Sequence, residues 1–293
     1  MFAYCADPSV LDGLAWLACY LTTPTHFAMV RAVGVVLLLL ALAAPLSLAL
    51  GFAGALAQRS GVFAIRWVGR IYVSIVRGVP DIIFFLFVPL ALDQAVEYVL
   101  HKVRCPDWTE PIRRGNDFVV CAAAKLPQAG APTWHHDVWG FLLALIAFSL
   151  VFGAFAANTL HGAMAAVPRA QMETAEAYGL SPAQAFRRVM LPQMWVYALP
   201  GLSNLWMILT KATPLLFLLG IQDIVFWARE LGGAKTSLFA YPHPDWRVWY
   251  FLGVLCFYLM LTWGSQRVFD HLMQRLSKGQ ATAAGEALRK AAT

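Results

Sequence analysis

Several stretches of this chain stay apolar over the roughly 20 residues that a helix needs to cross a bilayer, and nothing else in the sequence limits its fold so sharply. The clearest lie at about 27–57, 138–158, 194–220 and 248–268; another opens at Pro80 and runs to about 92 or slightly beyond. With 60% hydrophobic and 13% charged residues, the chain is far from soluble averages, where about a quarter of residues are charged. The expectation is an all-α integral membrane protein with five transmembrane helices. No basic n-region precedes the first apolar run, whose first basic residue is Arg31, so that run is expected to stay as a span rather than act as a signal peptide.

The net charge of +6 fits a basic membrane face better than nucleic acid. Arg66, Arg70 and Arg77 share one helical face with Ser74, while Phe63, Trp67, Val68, Ile71, Tyr72 and Ile75 fill the other side. That pattern predicts an amphipathic helix lying in the interface, with a polar extension of the next span as the alternative. Gly78-Val79-Pro80 then breaks it, with proline in the first turn of the next helix and Asp81 at that helix's positive end. The absence of an internal repeat, with five spans, argues against the common secondary-transporter folds. There is no GxxxxGK[ST] loop, Gly-x-Ser-x-Gly elbow or spaced zinc-protease motif. His135-His136-Asp137 is too sparse for a metal site, which needs three or four spaced ligands. The chain is therefore expected to be no enzyme and to hold no metal or cofactor.

Between the third and fourth long runs sits a polar block, QMETAEAYGLSPAQAFRRVMLP, from Gln171 to Pro192. Its first half favours helix, Gly179 supplies a stop, and Ser181-Pro182 offers an N-cap with proline in the first turn. A helix–Gly–helix elbow is predicted there, too polar for hydrocarbon and too structured for an idle linker. The block resembles the "EAA" loop of bacterial ABC-importer permeases: Glu173, Gly179 and Leu191-Pro192 match, while Thr174 stands where the pattern has its first Ala. Arg77-Gly78-x-Pro80-Asp81, Ala198-Leu-Pro-Gly-Leu-x-Asn204 and Leu209-Thr-Lys-Ala-Thr213 are similar to polar amino-acid permeases.

The resemblance covers about 26–100 and 137–278 and points to the Q-type subunit of importers for histidine, arginine, lysine, ornithine and opines. It implies a type I importer permease fold with a cytoplasmic coupling helix. The implied partners are a cytoplasmic ABC ATPase dimer, a second permease subunit and a periplasmic solute-binding protein. Glu173, Ala175, Gly179, Phe186, Arg187 and Arg188 are the positions expected to couple to the ATPase. The implied plan is an N-terminal periplasmic segment 1–25, a membrane domain 26–278 with a periplasmic insertion 101–136 and a coupling loop 168–192, and a cytoplasmic tail 279–293.

Lys and Arg number twelve on the side of the elbow and tail and nine on the other, a weak bias. With the resemblance it places the N-terminus outside and the tail in the cytoplasm of a bacterial inner membrane. Cys5, Cys19, Cys105 and Cys121 would then face an oxidising compartment, where pairings 5–19 and 105–121 or free thiols are both open. A lysine within an apolar span is costly, so Lys211 reads as functional. Pro200, Asn204, Met207, Lys211 and Pro214 recur at three- and four-residue steps, with Thr210 beside them. They are expected to line a substrate pathway or a subunit interface, with pairing of Lys211 to a neighbouring carboxylate as the alternative. Asn158 is a further pathway candidate or an interhelical hydrogen bond. Many members of the permease group it resembles have Glu or Gln where Asn158 stands, and an Arg where His161 stands. A channel or scaffold not driven by ATP, or a membrane enzyme using the His-His-Asp loop, are the rival readings.

Overall fold

A computed structural model describes residues 5, 11–115, 117–128 and 130–277. The tail 279–293, like most of the first ten residues, lies outside the described residues. The chain forms α1 (Gly13–Leu21), α2 (Pro24–Arg59), α3 (Phe63–Gly78), α4 (Asp81–Arg104), α5 (Thr133–Ala166), α6 (Arg169–Ala177), α7 (Pro182–Ala185), α8 (Leu191–Ala212), α9 (Ile224–Gly232) and α10 (Arg247–Ser277). Among the described residues the fold is all-α apart from a hairpin of two-residue strands, Arg113–Arg114 against Asp117–Phe118, and a bridge between Lys235 and His243. Among the described residues, five segments are long and apolar enough to cross a membrane: α2, α4, α5, the run Pro182–Leu219 and α10.

Where surroundings are as apolar as leucine, burial drives little, and helices are held by close approach and dispersion instead. The pair α2–α5 follows this rule. A Cβ on Gly51 would sit 2.6 Å from the Ala156 Cβ, and one on Gly54 would sit 2.8 Å from that of Ala157. This contact makes α5 the central helix: its apolar window is 61% buried, against 6% for α10. Around it, Phe85 of α4 stacks on Phe148 at 4.4 Å, within a core that includes Val36, Leu39 and Leu40 of α2. On α10, Leu252, Leu255, Leu259 and Met260 are exposed, which is costly in water and natural against lipid tails.

The arginine-bearing helix α3 packs lengthwise into the bundle rather than lying across its end. Gly69 meets Ala57 and Gln58, Tyr72 lies beside Gly54, and the Tyr72 hydroxyl donates to the Leu150 carbonyl of α5. As α3 ascends, its partners on α2 descend in number, so the two run antiparallel. Its glycine and valine face (Gly69, Val73, Val76) is buried, and its arginines flank that contact. Arg70 and Arg77 are exposed, and so are Val68, Ile71 and Ile75 opposite the packed face. The hydrophobic residues thus divide between protein and surroundings, a split that periodicity alone does not reveal.

At the end opposite the elbow, two cross-links shape the chain. Cys105 and Cys121 are disulfide-bonded and fold the insertion back onto α4. There the buried Glu97 accepts from the Leu126 N–H at 3.2 Å and pairs with Lys125 at 3.4 Å. His101 lies with the same cysteines, but its Nδ1 accepts the Cys121 N–H and both sulfurs are bonded to each other, so no thiolate is left to hold a metal. Cys5–Cys19 is the second disulfide and ties the N-terminal segment to α1.

Helix α1 is held by a chain of hydrogen bonds. His26 Nδ1 meets Thr23 Oγ1 at 2.7 Å and its Nε2 meets the Tyr250 hydroxyl at 2.6 Å. Tyr250 donates to Tyr20 at 3.1 Å, and Tyr20 reaches His243 Nε2 at 3.1 Å and the Leu231 carbonyl at 3.2 Å. His243 Nδ1 lies 2.7 Å from the Pro244 carbonyl, so it carries the proton and leaves Nε2 as acceptor, and the single Tyr20 O–H is shared between that nitrogen and the Leu231 carbonyl. Burial also pushes the Tyr20 phenol above its ordinary pKa. A segment expected only as an N-terminal extension is therefore stapled to α2, α10 and the 231–246 connection.

Candidate functional site

The elbow forms as the sequence predicts, and hydrogen bonds close its backbone at the bend. Helix α6 ends in a Schellman turn: Gly179 donates to the Glu176 carbonyl at 2.9 Å and Leu180 to that of Ala175 at 3.1 Å. Closing both bonds requires Gly179 at φ +82°, the left-handed region that glycine adopts without strain. Two residues later a capping box starts α7, with the Gln184 N–H on Ser181 Oγ at 3.4 Å and the Ser181 N–H on Gln184 Oε1 at 2.9 Å. Ala175 and Ala185 are buried where the two arms meet.

Phe186 and Met172 turn inward and pack on Met190, Met194 and Leu160, fixing the elbow to the ends of α5 and α8. Of the positions expected to couple, Glu173, Gly179, Arg187 and Arg188 are exposed, whereas Ala175 and Phe186 hold the elbow together. Within the elbow, sequence reasoning missed Tyr178, 83% exposed at the tip. An aromatic followed by a turn glycine was the available signal.

The elbow does not end at Leu191-Pro192. Pro192 has no N–H to offer the Arg188 carbonyl, and an ordinary α-helix would break or kink there. A π-turn over Phe186–Met190 takes up the misfit, with the Leu191 N–H donating to the Phe186 carbonyl five residues back. The helix continues without interruption as α8 and tightens into a 3-10 segment, Thr213–Leu219. Pro182–Leu219 is one continuous helical run of 38 residues.

That run also carries the predicted stripe. Pro200, Asn204 and Lys211 are exposed along one side of α8, and Met207 is half-buried. Lys211 forms no ion pair with any described residue, so no neighbouring carboxylate neutralises it. Thr210, next to the stripe, is turned into the core: it is fully buried and its hydroxyl donates to the Trp206 carbonyl at 2.9 Å. Asn158 is exposed on α5, and the next residue, Thr159, packs against Gly201, where a Cβ would come within 2.5 Å of its Cγ2. Thr159 against Gly201 is a close contact between α5 and α8, and Asn158 precedes it on an exposed position of α5.

Beyond this run lies a carboxylate that sequence reasoning passed over. Asp223 caps α9, accepting the Phe226 N–H at 2.8 Å, and is completely buried with Oδ2 unpartnered. Burial pushes its pKa up to about 6.

The sequence pattern of the family described as "Binding-protein-dependent transport system inner membrane component" matches residues 47–278. The chain belongs to this family. Its membership accounts for the elbow and the five spans together, and makes the protein a multi-pass inner-membrane component. Among curated proteins, this permease is 32% identical over 236 residues to the histidine/lysine/arginine/ornithine transport system permease protein HisQ of Salmonella typhimurium, covering 80% of this chain and 86% of that one. It is 29% identical over 214 residues to the arginine ABC transporter permease protein ArtQ of Escherichia coli, covering 73% and 80%. The octopine transport system permease protein OccQ of Rhizobium radiobacter is 26% identical over 238 residues, covering 80% and 84%.

The fold is similar to a chain in a crystal structure of an amino acid ABC transporter with histidines, at a TM-score of 0.59 and 18% identity over 90% of this chain and 100% of that one. The inward-facing MetNI methionine ABC transporter gives 0.57 and 14%, over 87% and 99%. At those identities the likeness concerns the fold alone.

Proposed function

We propose that this permease translocates polar amino acids, basic ones foremost, through an ATP-driven importer, with hydrolysis carried out by a separate ATPase subunit. Support for the solute class comes from relatives whose names specify arginine, histidine, lysine, ornithine and octopine. The observation that carries the mechanism is the continuous helical run Pro182–Leu219, which joins the elbow at one end to Asn204 and Lys211 further along.

An ATPase can bias a two-state permease only by binding its two states differently. The elbow is built to transmit such a bias. Its turn and cap are hydrogen-bonded, its inner face is packed, and Glu173, Tyr178, Arg187 and Arg188 are exposed to meet a partner. Displacement of such an elbow moves α8, and with it the Asn204–Lys211 side. An orientation with elbow and tail in the cytoplasm and the N-terminus outside follows from this reading. A second permease subunit would cover the exposed stripe, and an external binding protein would deliver solute to the end bearing the insertion. Lys211 and Asn158 provide no negative charge for a cationic side chain, so such a solute would rely on groups elsewhere in the assembly or on its backbone carboxylate.

The test is co-purification of the tagged chain from its native membrane, followed by ATPase assays with candidate amino acids and the binding protein. An associated ATPase stimulated by arginine, histidine, lysine or ornithine is expected. A clean preparation without ATPase would overturn the importer reading and favour a channel or scaffold.

A further inference from the structure

Helix α1 turns a row of leucines away from the protein. Leu14, Leu17 and Leu21 recur at three- and four-residue steps on one face and are exposed, Leu14 to 84%. The opposite face is held by the rest of the chain. Cys19 and Tyr20 are buried, and Trp16 meets Tyr241 and Trp246 edge-on at 5.6 and 6.0 Å. The Cys5–Cys19 disulfide and the Tyr20 hydrogen bonds fix this side in place, and among the described residues none covers the leucines.

Depth decides what does cover them. Val248–Gln266 of α10 contains no Asp, Glu, Lys or Arg. As helix this stretch measures about 28 Å, close to the thickness of the hydrocarbon core, so the acyl region begins near Val248. Gly253 then lies about 7.5 Å inside it. Leu17 and Leu21 line one groove with Gly253 and Trp249 of α10 and Met29 of α2. The leucines of α1 are therefore level with the first turns of the spans rather than above them.

Their surroundings continue the surface that the spans present to lipid, since Phe27 and Val30 of α2 and Val248, Trp249 and Leu252 of α10 are exposed as well. No Asp, Glu, Lys or Arg lies between Asp12 and Arg31, and the nine residues of α1 are too few to cross a bilayer. An apolar helix of that length, flanked by Trp16, Trp246 and Trp249, suits the headgroup–acyl boundary, where tryptophans concentrate.

We infer that α1 is seated in the bilayer, with Leu14, Leu17 and Leu21 among the upper acyl chains of the leaflet opposite the elbow. The segment before the first span, expected from the sequence as an extramembrane extension, is then a lipid-contacting element that widens the bundle in that leaflet. This placement depends on the spans alone and is independent of coupling to an ATPase.

The experiment uses the chain purified from its native membrane with its partners, in nanodiscs of phosphatidylcholine. One acyl chain carries a diazirine either in its upper part or at its end, and photolabelled residues are mapped by mass spectrometry. A parallel sample is oxidised by hydroxyl radicals, which modify leucines that meet water. Leu238, 93% exposed in the 231–246 connection, is the water reference, and Leu259 in the middle of α10 is the lipid reference. Leu17 and Leu21 are expected to take the upper-chain label in excess of the chain-end label, with the reverse at Leu259. Relative to exposed area, the three α1 leucines should be oxidised at least about fivefold less than Leu238, because the apolar face of such a helix sits about 5–10 Å inside the boundary. Oxidation equal to that of Leu238 would place the face in water. Protection without lipid label would place a protein partner on it. Either result would overturn the inference.

Discussion

The hinge of the elbow is the sharpest place to test coupling, because its energetics are simple. Gly179 holds φ +82°, and a Cβ placed there would meet nothing within 4 Å. Substitution therefore adds backbone strain without a clash. For alanine the left-handed conformation costs roughly 1–2 kcal/mol; for asparagine it costs less, since asparagine visits that region routinely; for valine, β-branched, it costs most.

If the Schellman turn must be closed for the elbow to dock, the competent fraction falls with that cost. About 1.4 kcal/mol is tenfold in a population. Uptake by the reconstituted transporter, measured at limiting ATPase subunit, should then fall in the order Gly, Asn, Ala, Val, by about tenfold at Gly179→Ala. Gly179→Asp, which adds a charge at the same spot, should also uncouple uptake from ATP hydrolysis. Membrane insertion and yield should stay unchanged throughout, because α6 and α7 are anchored by Met172 and Phe186 rather than by the turn. Equal uptake across the series would refute the argument, as would asparagine behaving worse than valine.

The central helix pair provides a second test. Gly51→Ala should destabilise the purified chain by about 1–3 kcal/mol through overpacking, and Ala156→Gly should recover part of the loss; strict additivity in the thermal-unfolding cycle would show that the two do not touch. Tyr20→Phe removes the centre of the hydrogen-bond chain that holds α1 and should cost about 1–3 kcal/mol, read as a lowered midpoint with the disulfides intact. Tyr178→Ala at the elbow tip should weaken ATPase association by at least about 1 kcal/mol, if the exposed ring is a docking anchor, without changing the stability of the isolated permease. Asp223 predicts a pH dependence. Its folded pKa of about 6 lies above the ordinary 3.8, so the folded state binds the proton more tightly. Stability is then greatest below about pH 4 and declines as pH rises through about 6, by up to roughly 3 kcal/mol for a rise of that size. Asp223→Asn keeps the helix cap and should flatten that part of the profile in thermal unfolding between pH 4 and 7.5. An unchanged slope would assign the pH dependence to other groups.

The spans, the elbow and its glycine were legible in the sequence because each rests on local rules. Length and apolarity fix a crossing helix, and a turn that needs positive φ asks for glycine. Ser181 with Gln184 announces a helix start in the same way. Partners distant in sequence were not legible. The arginine-bearing α3 reads as an interfacial helix by periodicity, yet Gly69 and Tyr72 dock it along α2 and α5. The run after Phe186 reads as ending at Leu191-Pro192, yet a π-turn carries it through. Thr210 and Lys211 are adjacent in sequence, but only packing decides that one is sealed in the core and the other left exposed. Periodicity counts apolar positions without saying which neighbour covers them, and inside hydrocarbon that choice falls to the shape of small residues such as Gly51, Gly201 and Ala156.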